Sequence, residues 1–355
     1  MVRGKKAFFF TFIAIMLVVL FFLIINTRQT IENMEEADYV RHRVETVNNL
    51  FFDLENELLS DINTAIAARA MKGLIVQINE SQIFFGNDTQ ATEAFVASMW
   101  NGSYLNGSPF WYMQGHSIED ILGRFRKQVN DTFQISFNLS LLNDSLEINQ
   151  TGRFDFTVYA RYRYSAETRE AEWLPKHVDV VSEFSVIGFD DPYYLLMTGG
   201  NYTQPIAPDP LISQSWDAWN VTHLNRSIHD HTYMWNLDAM SYWQRFFNDT
   251  SSSPYGIESF INADILKHYV APDYLNFSAP QNRSYVDYMF WYPTWNCSDY
   301  DNPTGRWGDL RGVQGVNATG FRLDRDHIGR YLNVSRNESR DQAVGGLTYV
   351  VCTNS

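Results

Sequence analysis

From Ala7 to Ile25 the chain reads AFFFTFIAIMLVVLFFLII, 19 residues whose only polar side chain is Thr11. Such a run finds no stable place in contact with water, and a helix needs roughly 20 apolar residues to cross hydrocarbon. The apolar core of a secretory signal is shorter, about 7–15 residues. Met1 to Lys6 supplies Arg3, Lys5 and Lys6, which marks the N-terminus as the cytoplasmic end. The expectation is a basic cytoplasmic leader over 1–6, a transmembrane helix over 7–25, and everything after Asn26 outside the cell. No second apolar run of this length follows. The expected topology is therefore single-pass in the cell membrane, with the lipid bilayer as the first partner.

A second, independent pattern agrees. Asn followed two residues later by Ser or Thr occurs 18 times: at Asn79, Asn87, Asn101, Asn106, Asn130, Asn138, Asn143, Asn149, Asn201, Asn220, Asn225, Asn248, Asn276, Asn282, Asn296, Asn317, Asn333 and Asn337. None has Pro in the middle position. With 28 Asn and 47 Ser plus Thr in 355 residues, chance would give about four such acceptor triplets. The six Asn before residue 78 supply none, and the 22 after it supply all 18. A sequon receives an N-linked glycan only where the chain meets a glycosylation machine on the far side of a membrane. Residues 79–355 therefore read as a sugar-coated extracellular ectodomain.

Between these two signals, residues 26–78 are rich in helix formers, and no Pro occurs before Pro109. Val44, Val47, Phe51, Leu54 and Leu58 recur at alternating three- and four-residue steps, with Ile31 and Met34 upstream and Ile62 and Ile66 downstream. Glu32, Arg41, Glu45 and Glu57 take other faces. The period predicts an amphipathic stalk helix continuous with the membrane span, on the order of 100 Å for about 70 residues. The stripe must be covered. Self-association through it is the functional expectation, and packing on the chain's own globular part is the alternative.

Short helices are expected at Gln90 to Trp100 and at Ser117 to Asn130, the second opened by Ser117 and Asp120 as a capping pair. Residues 132–189 then change to a period of two. Phe133, Ile135, Phe137 and Leu139 alternate with polar neighbours, as do Phe154 to Tyr164 and Val178 to Val186. Three such runs joined by short polar turns predict an antiparallel meander with one face on a core. Residues 190–355 are irregular and aromatic, in a chain of 10 Trp, 20 Tyr and 25 Phe. Strings such as Phe110-Trp111-Tyr112 and Tyr288-Met289-Phe290-Trp291-Tyr292 read first as core and second as a stacking platform for sugars. The expected fold class is α+β: a transmembrane helix, a long amphipathic stalk helix, and an antiparallel β-rich ectodomain with short helices.

Little in the sequence points to chemistry. A net charge of −14 argues against nucleic acid, whose phosphates need a basic surface. Cys297 and Cys352 both fall in the ectodomain, where an oxidising exterior favours a disulfide between them. His229-Asp230-His231, with His223 upstream, is the best metal candidate, but a surface turn explains it as well. Asp324, Asp326 and His327 lie among Arg322, Arg325 and Arg330, which suits an ion-pair network better than a calcium loop. There is no G-x-S-x-G, no GxGxxG and no phosphate-cradling glycine loop. No catalytic residue, cofactor or metal is assigned.

Lys6-Ala7 before Phe8 places a basic residue, a small residue and then an unbroken apolar helix in succession. This junction resembles the processing site of archaeal type IV prepilins, cut between Ala7 and Phe8 on the cytoplasmic side. The fifth residue of the mature helix, Glu in most bacterial pilins, is Phe12 here, a departure from the bacterial pattern. Leader, apolar helix, stalk and sequon-bearing head together resemble archaeal type IV pilin-like membrane glycoproteins. Two internal segments, Val178 to Pro192 (VDVVSEFSVIGFDDP) and Ser253 to Asn262 (SPYGIESFIN), look like stretches of uncharacterised archaeal surface proteins. The resemblance implies a non-enzymatic cell-surface glycoprotein. It would be a pilin-like subunit or a structural or adhesion protein, assembling through its N-terminal helix with itself or with other pilin-like subunits. The alternatives are a monomeric signal-anchored ectodomain that binds a carbohydrate or a partner surface, and a membrane-tethered enzyme without a recognisable motif.

Overall fold

The computed structural model describes residues 38–142, 145–169, 171–210, 227, 229–237, 239–261 and 287, together with the backbone of five strands between 284 and 351. Helix α1 (38–53) runs into a single π turn, Leu54–Leu58, and on into α2 (Leu59–Ser81) without a break. The Leu59 N–H bonds back five residues, to the Leu54 carbonyl. That extra residue shifts the phase of the apolar stripe. Leu54 and Leu59 are both 0% exposed, whereas Leu58 is only partly buried. The buried face then continues through Asn63, Ile66, Ala67, Ala70, Met71, Leu74, Ile75 and Ile78. At Gly73 a Cβ would sit 2.9 Å from the Phe110 ring, so the glycine lets that ring close on the helix.

The partner of this face is an antiparallel sheet: β1 (Ser136–Leu141), β2 (Glu147–Gln150), β3 (Asp155–Glu167) and β4 (Glu172–Ser185). Strand β3 pairs with β1 and β2 along one side and with β4 along the other. The β3–β4 register runs from Asp155↔Ser185 to Glu167↔Glu172, with an irregularity between Tyr164 and Ala166. The alternation read from the sequence is the alternation of burial: Phe137, Leu139, Phe156, Val158, Tyr162, Tyr164, Val180 and Phe184 face the helix side of the sheet. Phe51 of α1 meets Phe137, Tyr164 and Trp173 at ring-centroid distances of 6.0, 4.7 and 6.1 Å. The outer edge of β4 is covered rather than left open. Ser60 and Thr64 of α2 donate to the Val181 and Glu183 carbonyls at 3.4 Å, and Ser182 donates back to the Ser60 carbonyl at 3.2 Å.

The expectation of a transmembrane helix continuing into a long stalk helix that associates through its stripe is corrected here. Among the described residues no helix is long and apolar enough to cross a membrane. The part of the stalk that is described is a wall of the head, because its apolar stripe is buried against the sheet. The run 7–25 and the Ala7–Phe8 junction lie outside the described residues. The α+β class with antiparallel pairing holds, with four strands in the meander where three runs are legible in the sequence.

Two helices bridge the helix and the sheet. Helix α3 (Asp88–Asn101) is capped by Asn87, whose side chain accepts from the Gln90 N–H. Helix α4 (Ile118–Phe133) opens with a complete capping box of Ser117 and Asp120, as the sequence predicts. After β4, Gly188 (φ +80°) turns the chain into α5 (Pro192–Met197). A two-stranded ladder, β5 (Met234–Trp235) with β6 (Ile257–Glu258), follows. The last strands are β7 (Phe260–Ile261), β8 (Ser284–Val286), β9 (Trp307–Arg311), β10 (Phe321–Asp324), β11 (Ala343–Val344) and β12 (Leu347–Val351). They form one sheet in the order β11-β12-β9-β10-β8-β7, antiparallel except for the β10–β8 pair.

Candidate functional site

Two places gather polar and aromatic side chains beyond what packing requires. The first joins the two segments singled out in the sequence. Asp191 ends the first of them and caps α5, its Oδ1 accepting the Tyr193 N–H at 2.9 Å ahead of Pro192 at the first helical position. Its Oδ2 accepts from Tyr233 Oη and from Arg245 Nη1, both at 2.7 Å. Arg245 Nη1 also donates to Asp287 Oδ2 at 2.7 Å, and Nη2 donates to the Ile257 carbonyl, in the second segment, at 2.7 Å. Ser259 Oγ donates to Asp287 at 2.9 Å and sits 2.8 Å from Tyr194 Oη. The rings of Tyr233 and Tyr193 flank the guanidinium at 5.5 and 5.9 Å. At Gly256 a Cβ would lie 2.1 Å from the Asn236 carbonyl oxygen, so only glycine allows these two backbones to cross.

Asp191, Arg245, Ser259 and Asp287 are all 0% exposed. Burial works against the Arg245 charge, but the Asp191 and Asp287 carboxylates outweigh it and hold the guanidinium protonated well above its ordinary range. Burial, followed by the same carboxylates, pushes the Tyr194 and Tyr233 phenols well up, so both remain donors at neutral pH. A cluster closed to solvent cannot receive a substrate. Its chemistry is to fasten α5, the Arg245 turn, β6 and residue 287 to one another through one guanidinium shared by two carboxylates.

The second place is open. Gln77, Tyr104, Leu105, Asn106 and Ser108 line a surface concavity of about 450 Å³. Beside it, Glu80 of α2 accepts from Tyr104 Oη at 3.2 Å and from Trp111 Nε1 at 2.9 Å. Trp111 is 60% exposed and Leu105 41% exposed. Tyr104 packs against the buried Phe110 ring at a centroid distance of 4.4 Å, tilted by 39°, so Phe110 anchors the aromatic string while Trp111 stays at the surface. Burial and the Glu80 carboxylate both push the Tyr104 phenol up. An aromatic wall next to an amide and a carboxylate suits a polar ligand with apolar faces, such as a sugar.

The described sequon asparagines all reach the surface, as do Asn48, Asn49 and Asn56 outside any sequon. Asn79, Asn87, Asn101, Asn106, Asn138, Asn149 and Asn201 are exposed, and Asn130 and Asn248 are half-buried, so no described sequon is buried. Asn63 and Asn236, outside any sequon, are 0% exposed. Asn87, Asn101, Asn106 and Asn130 use Oδ1 to accept backbone N–H groups, which leaves Nδ2, the atom a glycan would occupy, out of those bonds. Asn201 donates from Nδ2 to the Thr198 carbonyl at 2.9 Å. Asn143, Asn220, Asn225, Asn276, Asn282, Asn296, Asn317, Asn333 and Asn337 lie outside the described residues, as do Cys297, Cys352 and His223.

Of the stripe, Val47, Phe51 and Leu54 are buried in the chain's own core, and Val44 and Leu58 are partly so. His229 is largely exposed, with Nδ1 3.3 Å from Asp230. No group of three potential metal ligands comes together among the described residues. Asp324 and Arg322 belong to β10, whereas Asp326 and His327 lie outside the described residues. Sequence reasoning missed Arg245, Asp287 and Glu80 as partners. The two resemblance segments pointed at the buried cluster, and the Phe110-Trp111-Tyr112 string pointed at the concavity. Comparison with family models, with curated proteins and with solved structures finds no match for this chain.

Proposed function

We propose that this chain is a non-enzymatic glycoprotein of the cell surface, attached at the lipid bilayer and exposing residues 79–355 outside the cell. The observation that carries the reading is the placement of the acceptors. None of the nine described sequon asparagines is buried, whereas two of the five other described asparagines, Asn63 and Asn236, are sealed in the core. Surface placement is what an N-glycan requires. Within this reading a pilin-like subunit is favoured over a coat protein by one arrangement, a long helix α1–α2 packed along an antiparallel sheet. Because Phe51 and Leu54 are already buried within the chain, assembly would use surfaces other than that stripe.

The test is glycopeptide and N-terminal mass spectrometry on protein from its native membrane. Hexose-bearing peptides at the exposed sequons and a chain beginning at Phe8 support a processed pilin-like glycoprotein. A glycosylated chain beginning at Met1 or Val2 supports a coat glycoprotein instead. Bare asparagines throughout would overturn the reading.

A second reading, carbohydrate binding by the head, is favoured by the concavity beside Glu80 and Trp111. Binding of a glycan array that weakens in Trp111→Ala would support it, and equal binding by that variant would remove its basis.

A further inference from the structure

The concavity beside Tyr104 has a polar group that the protein does not satisfy. Gln77 is one of its lining residues, and Gln77 Oε1 is buried with no hydrogen-bond partner among the described residues. Buried acceptors are rarely left unpaired, because losing water without gaining a partner is unfavourable. The same concavity is lined by an aromatic ring, Tyr104, and an exposed aliphatic side chain, Leu105. An apolar wall flanked by the polar Asn106 and Ser108 matches a pyranose, which has C–H faces and hydroxyl groups. The volume of about 450 Å³ also falls within the ~300–1,000 Å³ typical of small-ligand clefts.

The occupant is indicated by Asn106, which lines the same concavity and carries the sequon Asn106-Gly107-Ser108. Its Oδ1 is tied into its own loop, accepting the Ser108 N–H at 3.0 Å and the Ser108 hydroxyl at 2.7 Å. Gly107, at φ +79°, makes that tight turn possible. With the amide oxygen held, Nδ2 remains for the sugar, and a sugar attached there begins at the wall of the cleft.

We propose that the concavity is the seat of the chain's own Asn106 glycan. Its first sugar packs on Tyr104 and Leu105. The inference rests on the glycoprotein reading above and goes further, since it assigns one glycan a docked position while the others project into solvent. Its consequence is that an aromatic surface is covered by carbohydrate rather than by protein.

The test is hydroxyl-radical footprinting of the full chain purified from its native membrane, compared with Asn106→Gln and with Ser108→Ala. Both variants remove the acceptor triplet, and the second keeps Asn106. Severalfold faster oxidation of Tyr104 and Leu105 in both variants is expected, with no change at Tyr159, a residue 40% exposed on β3. Unchanged oxidation, in a chain whose Asn106 is shown by mass to be glycosylated, would overturn the proposal. So would a rise in Asn106→Gln alone, which would mean only that the loop had been disturbed. A bare Asn106 beside glycosylated Asn79 and Asn138 would overturn the docked glycan and leave the glycoprotein reading standing, whereas bare sequons throughout would overturn both. Protection of Tyr104 in Asn106→Gln by added free hexose, with no protection from the native glycan, would also overturn the proposal and assign the cleft to a foreign carbohydrate.

Discussion

The body made of α1, α2 and the meander and the region around Arg245 are equally dry inside, but they are held by different physics. In the body, Leu54, Leu74, Ile78, Val158 and their neighbours are buried because apolar side chains recur with the helical and strand periods. Any side chain of similar volume and hydrophobicity serves there, since burial is nondirectional. Around Arg245 the contacts are few and directional, with two carboxylates, one carbonyl and two phenol rings converging on one guanidinium. The lesson is that burial alone says nothing about tolerance to substitution. The first region forgives conservative changes, and the second does not.

Arg245→Ala is the largest break in that comparison. It strands two buried carboxylates and a carbonyl, and removing one partner of a buried ion pair typically costs about 3–5 kcal/mol. Denaturant midpoints would show the loss, and a midpoint within experimental error of wild type would refute the network's role. A conservative pair sharpens the contrast. Arg245→Lys loses the Nη2 bond to the Ile257 carbonyl and should still cost about 1–3 kcal/mol. Leu74→Met, volume-conserving in the helix face, should cost under about 1.5 kcal/mol. Equal costs for the two would erase the distinction.

Gly256→Ala forces a Cβ toward the Asn236 and Ala239 carbonyl oxygens. Overpacking of this kind costs about 1–3 kcal/mol, readable as a lowered melting temperature. Ser117→Ala removes the hydroxyl that caps α4 and should cost about 0.5–2 kcal/mol. Ser117→Asp should recover most of that loss, and failure of the rescue would argue against the cap.

The smallest effect is one of pH. Burial works against the Asp249 charge, but hydrogen bonds from Ser251 and Gln244 outweigh it and hold the carboxyl below its ordinary value. The folded value is thus lower than the unfolded one of about 3.9. The stabilisation is complete above that pH and is lost as pH falls through the folded value. Amide exchange at Ser251, whose N–H bonds Asp249 at 3.0 Å, should quicken over that acid window in wild type and stay flat in Asp249→Asn.

The same contrast governs what could be read from the chain. The capping box at Ser117 and Asp120, the amphipathic helix and the long strands β3 and β4 are legible, because each is a local pattern with its own period. Strand β2 was not, since Glu147–Gln150 is four residues long and earns its place only by pairing with β3. The fate of the stripe was open, because a period shows that a face must be covered and not by what. The cluster was illegible for a stronger reason. Its bonds join residues 42 and 54 positions apart, and Arg245 sits in Tyr242-Trp243-Gln244-Arg245-Phe246 with no period at all. The cleft was half legible, as the aromatic string stood out while Glu80 looked like one more helix carboxylate.

The single π turn at Leu54–Leu58 acts as a protractor. An α-helix advances about 100° per residue, so one surplus residue there sets which face of α1 meets the sheet. Deleting any one residue of the five would leave each half with its composition and propensity intact while swinging α1 through about that angle around the helix axis. The face that α1 turns toward the sheet is thus written as a count rather than as a contact.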